Sequence, residues 1–114
     1  MSYPPGYPPT IPPFPPWVAP KRYLHISFST FPLPDRTFEG VKEAMGTAND
    51  WLKYGPSSWI VYTGESPNDW YQKLLRIDGL RTVSFLIIEI DISVSKRSGQ
   101  FERWVWDWFD KRRG

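Results

Sequence analysis

Residues 51–75 read WLKYGPSSWIVYTGESPNDWYQKLL, and their punctuation sets the architecture. Trp51-Leu52-Lys53-Tyr54 predicts a short strand, and Gly55-Pro56-Ser57 a tight turn. Residues 58–63, SWIVYT, predict the returning strand, rich in β-branched and aromatic side chains. Ser66-Pro67-Asn68-Asp69 then opens a helix. Ser66 suits the N-cap, Pro67 the first helical position, and Asp69 the third, where it can bond back to the cap. Trp70, Leu74 and Ile77 give that helix a buried stripe, and Asp78-Gly79 stops it.

The same logic extends in both directions. Residues 23–30 alternate: Leu24, Ile26 and Phe28 point one way, and Tyr23, His25, Ser27 and Ser29 the other, as in a half-buried strand. After a loop with two prolines and Asp35, Thr37 can cap a helix whose apolar residues Phe38, Val41, Ala44, Met45 and Ala48 recur at helical spacing. Downstream, residues 81–92 predict the longest strand. Apolar residues on both of its faces suggest a central position or cover on both sides. Phe101, Trp104, Val105, Trp108 and Phe109 predict a C-terminal amphipathic helix with Trp106 facing outwards. The order strand–helix–strand–strand–helix–strand is that of a ferredoxin-like sandwich, an α+β fold. Its two helices are expected over Leu24, Ile26, Phe28, Leu86, Ile88 and Ile90. The opposite face would carry Tyr23, His25, Phe85, Ile87 and Glu89. Such a patch calls for a second subunit or the C-terminal helix as cover.

Residues 1–20 stand apart. They hold nine of the thirteen prolines and no charged side chain. They read as a disordered proline-rich extension to a domain over 21–114, with a preference for polyproline II. Pro4-Pro5-Gly6-Tyr7 matches the PPxY pattern that WW domains bind, so a protein partner for this tail is one expectation. The net charge of +2 is too small to announce nucleic acid by itself. The chain has no cysteine, which excludes disulfides and thiolate metal sites. No apolar run is long enough to span a membrane, and a secretory leader pattern is missing at the N-terminus, so cytoplasmic residence is expected.

Several segments resemble a bacterial family of small proteins labelled SinR-like, grouped by fold with CRISPR-adaptation nuclease-like proteins and VapD toxins. The opening strand at 23–30 is similar. Residues 51–54 followed by Ser58-Trp59-Ile60-Val61 resemble the family's WWHYLDSTWLV stretch. Residues 66–75, 85–90 and 104–109 resemble its second helix, closing strand and trailing tryptophan-rich helix. The resemblance covers about residues 22–110 and excludes the proline tail. It implies a ferredoxin-like fold and a homodimer built on the sheet. In the CRISPR-type relatives, an Asp ending the first strand binds metal across the dimer axis. Here Ser29 matches that position, with Thr30 beside it, and a neutral hydroxyl is a poor ligand for a hard cation. The nearest carboxylate is Asp35.

His25, the one histidine, could serve as a base or touch phosphate, as suspected for VapD-like ribonucleases. A lone histidine on a sheet face is more often packed and hydrogen-bonded. Glu89 and Asp91 would lie about 7 Å apart on one face of a strand, a spacing suited to acid–base work or to ion pairs with nearby arginines. Lys96, Arg97, Arg103, Lys111, Arg112 and Arg113, interleaved with tryptophans, are candidates for nucleic-acid binding. Two classes of function follow. One is a dimeric interaction or nucleic-acid-binding module without metal nuclease activity, its interface formed by Tyr23, Phe85, Ile87 and Glu89. The other is a nuclease or RNA-cleaving toxin working through His25 and Asp35, with Mg2+ or Mn2+ as cofactor only in that case.

Overall fold

A computed structural model describes residues 20–113. The expected extension over residues 1–20 lies outside them, apart from Pro20, which is exposed. The described chain is a small α+β unit. Strand β1 (Arg22–Phe28) is followed by helix α1 (Asp35–Met45), strands β2 (Asp50–Gly55) and β3 (Ser58–Thr63), helix α2 (Pro67–Leu75), strand β4 (Phe85–Ile90) and helix α3 (Arg103–Asp110). The four strands form one sheet in the order β2-β3-β1-β4, with every neighbouring pair antiparallel.

The hairpin and the helix after it form where local chemistry asks for them. The Ser66 hydroxyl accepts from the Asp69 N–H at 3.1 Å, and the Asp69 carboxylate accepts from the Ser66 N–H at 2.9 Å. That reciprocal pair satisfies two backbone donors that the first helical turn would otherwise leave open. Trp70 is fully buried behind it, and its indole N–H donates to the buried Thr63 hydroxyl at 3.4 Å. A buried indole needs such an acceptor.

The main core lies between the sheet and the α1–α2 pair. Leu24, Ile26 and Phe28 from β1, Trp59 and Val61 from β3, Val41 and Met45 from α1, and Trp70 and Leu74 from α2 make it up. Thr37 does not cap α1 as expected. The helix starts three residues earlier, after Pro34, and Thr37 is buried within it. Its hydroxyl donates to the Asp78 carbonyl at 2.9 Å and so ties α1 to the end of α2. A cap would have its hydroxyl accept from a backbone N–H of the first turn; buried inside the helix, this hydroxyl donates to a distant carbonyl instead.

β4 departs most from expectation. It begins at Phe85, since Leu80–Thr82 turns once as a 3-10 helix, and it is an edge strand. Its register sets Phe85 opposite Phe28, Ile87 opposite Ile26 and Glu89 opposite Leu24. Directly opposed residues share a face, so Phe85 and Ile87 pack under the helices, while Leu86 and Ile88 lie on the other side with His25 and Ser27. This corrects the expected face assignment. Register moves every side chain of a strand to the opposite face when it slips by one residue, and a strand apolar on both faces carries no alternation to fix its phase.

The helices do not keep to one side. α3 packs on the face opposite α1 and α2, where Val105 is buried against Leu52 and Ile60, with Tyr23, Tyr54, Ile90, Trp108 and Phe109 around it. Of the two expected coverings for this underside, the C-terminal helix supplies one, over the β2–β3 half. Its phase is also corrected: Trp104 is 52 % exposed, and Trp106 is half-buried. Val105, Trp108 and Phe109 form the inward stripe, and its fit between Leu52 and Ile60 turns Trp104 outwards.

Gly79 sits at φ 92°, a left-handed conformation. A Cβ there would meet the Thr37 hydroxyl oxygen that holds Asp78. Gly79→Ala is expected to destabilise the fold by about 1–3 kcal/mol, read as a lowered midpoint in urea unfolding with an unchanged slope.

Candidate functional site

Of the residues that the sequence singles out, His25 and Tyr23 lie on the underside of the sheet, and geometry decides what each candidate can do. His25 is half-buried there, between Ile60 on β3 and Ile88 on β4. Its Nε2 shares a short hydrogen bond with the Tyr54 hydroxyl, and the two rings lie 5.7 Å apart. Burial lowers its pKa below the ordinary value of 6.5. A neutral imidazole tied to a phenol is a packed residue. Asp35 is exposed at the start of α1, which packs on the other face of the sheet. His25 and Asp35, the two catalytic candidates, therefore lie on opposite sides of the sheet.

Glu89 and Asp91 do not converge either. Glu89 projects towards the helical side and accepts from Arg22 at 3.3 Å. Asp91 lies past the end of β4, where the Ser93 hydroxyl and then its N–H bind the carboxylate and lower its pKa. Among the described residues, no three His, Asp or Glu side chains come together as ligands for one ion.

The basic residues near the C-terminus are largely neutralised by carboxylates of the same chain. Lys96 pairs with Asp91 at 3.7 Å, Arg97 with Asp110, Arg103 with Asp107 at 3.8 Å, and Lys111 and Arg113 with Asp50 at 3.3 and 3.1 Å. Arg112 is exposed. Arg113 is the most enclosed, its side chain only 6 % exposed. It lies 4.1 Å from the Trp108 ring centroid, donates to the Tyr23 hydroxyl at 3.1 Å and donates to the Trp108 carbonyl at 2.7 Å. Partial burial raises the pKa of Asp50, but bonds from the Trp51 N–H, Arg113 and Lys111 outweigh it and hold the carboxyl below the ordinary range. This cluster fastens the end of α3 to the sheet.

Half of the underside is left open. Leu86 is 48 % and Ile88 53 % exposed, both on β4, whose outer edge has no strand beside it among the described residues. Of the four residues expected at an interface, Tyr23 is on this face but lies beneath the end of α3, and Phe85, Ile87 and Glu89 are on the opposite one. Leu86 and Ile88 are the exposed apolar residues that β4 sets on this face. The sequence held no signal for that exchange, because the alternating set Phe85 and Ile87 is equally apolar.

No family model, curated protein or solved structure matches the chain.

The single imidazole can be followed directly by proton NMR. Its titration midpoint is expected below 6.5. Because the folded pKa lies under the unfolded one, acidification below the unfolded value protonates the unfolded chain first. Stability therefore falls until the pH passes the folded pKa. A midpoint above the ordinary value would mean a carboxylate faces His25 after all.

Proposed function

We propose that this chain is a non-catalytic interaction module that pairs with a second copy of itself along β4. The observation that carries the reading is the state of that strand. Phe85–Ile90, FLIIEI, is an edge with no partner strand among the described residues, and it has one charged residue, no proline and no bulge. That one charge, Glu89, is already held by Arg22. The other edge differs. β2 has an irregularity between Lys53 and Gly55, and it carries Lys53 and Asp50. Bulges and charges are how proteins guard an edge against pairing, so β2 is guarded and β4 is not. Two copies of β4 set antiparallel about a two-fold axis would continue the ladder and bring Leu86 and Ile88 of each copy together on one face. Isologous contacts of this kind are the commonest way to close a dimer.

A ferredoxin-like sandwich remains the fold type we favour. The support is that α1 and α2 each join two strands with a third between them, which gives the order β4-β1-β3-β2 from edge to edge. The SinR-like resemblance, with pairing through the sheet, is compatible with this reading. The nuclease alternative draws less support, since His25 and Asp35 lie on opposite faces and the basic residues are paired.

In sedimentation equilibrium the chain is expected to behave as a dimer of the 13.4 kDa protomer at micromolar concentration. Ile88→Lys is expected to weaken association at least about tenfold, about 1.4 kcal/mol, with unchanged circular dichroism. A wild-type monomer under these conditions would end the proposal. Labelled RNA and duplex DNA, incubated with the protein and Mg2+ or Mn2+, are expected to stay intact. Cleavage that disappears in His25→Ala or Asp35→Ala would reinstate the nuclease.

A further inference from the structure

Beneath α3 lies a cavity of about 190 Å³ whose walls are almost wholly aromatic and aliphatic. Phe101 stands edge-on to Tyr54 at 5.7 Å, and Trp106 and Phe109 close the other side at 5.9 Å from each other. Phe101 is 51 % exposed at the mouth. Arg97 also lines the cavity, its guanidinium 5.4 Å from the Phe109 centroid and paired with Asp110 through Nη2. Its other terminal nitrogen, Nη1, is buried without a hydrogen-bond partner among the described residues. That nitrogen is shut away from solvent, so what the walls offer an occupant is rings rather than a hydrogen bond.

The occupant can be argued from chemistry. At about 190 Å³ the space is smaller than the roughly 300 Å³ at which small-molecule sites begin. It suits one or two rings presented by a chain. Proline-rich segments bind aromatic-lined grooves because their rings lie against the aromatic faces, and their backbone arrives already extended, with its carbonyls unbonded. Residues 11–17 of this chain, IPPFPPW, are such a segment, and residues 1–20 hold no charge that would need a polar seat. The larger cavity between α1 and α2 is unsuited to them, being lined by Arg36, Glu39, Glu43, Lys73, Arg76 and Asp78.

Reach is ample. The segment joins the domain just before Arg22, and Tyr54 is bonded to His25, three residues along β1, roughly 10 Å away. Residues 12–19 in polyproline II span roughly 25 Å. We infer that the aromatic groove beneath α3 seats the proline-rich segment of its own chain, held by Tyr54, Phe101 and Trp106.

The lack of cysteine makes the test clean. A nitroxide on Thr10→Cys in the full chain is expected to broaden the amide signals of Phe101 and Trp106 to less than half their diamagnetic intensity. Gly40 and Glu43 on α1 should keep theirs. Phe101→Ala, which removes an exposed wall, should restore the Trp106 signal while the β1 and β3 signals stay in place. Broadening absent at Phe101 and Trp106, or unchanged in Phe101→Ala, would overturn the inference. So would broadening seen only when isotope-labelled protein is mixed with separately spin-labelled protein, which would assign the groove to the tail of a second copy.

Discussion

A sheet with apolar residues on both faces must be covered on both, and this chain has too little helix to do it. α1 and α2 together roof one side. The other is left to α3, eight residues long. A helix of that length extends about 12 Å and measures about 10 Å across with its side chains. The sheet spans about 14 Å between its outer strand axes, and its strands run about 20 Å. α3 therefore covers part of the underside at most. It sits where Leu52 and Ile60 offer Val105 a socket, and the β4 half, with Leu86 and Ile88, stays open. The candidate interface and the aromatic groove both trace to that shortage of cover.

What holds α3 in place is a mixture of packing and charge. The Arg113 guanidinium lies over Trp108 and within reach of Tyr23 and Tyr62, and its Asp50 partner is three-quarters buried. Charge pairs that are enclosed keep more of their attraction than those fully in water, although desolvation offsets part of the gain. Asp50 titrates below its ordinary range. Its contribution is therefore present above the unfolded carboxyl pKa and lost as the pH falls through the folded one. The residues that looked like a nucleic-acid patch in the sequence are, in good part, the fastening of a helix.

Local chemistry was legible and long-range phase was not. The Ser66–Asp69 box, the alternation of β1 and the SWIVYT strand could be read from neighbours in the chain, because each depends on contacts within a few residues. β4 could not be phased, because FLIIEI is apolar on both sides and the partner that fixes its register, β1, lies nearly sixty residues away. Thr37 looked like a cap until Asp78 proved to be its acceptor, and Trp104 and Trp106 exchanged roles when α3 settled on Val105. The Asp50–Arg113 contact bridges 63 positions of sequence. For the site, the sequence located the face of His25 correctly and misassigned the strand beside it.

The open strand has one further consequence. Six residues, five of them apolar, without proline or glycine, are the composition from which steric zippers are built. Among the described residues no strand pairs with the outer edge of FLIIEI. When the molecule is crowded or partly melted, that edge can template identical copies stacked in register. Whatever caps β4 thus also guards the protein against amyloid, and a variant that cannot be capped should be short-lived in a concentrated solution for reasons unrelated to its folding energy.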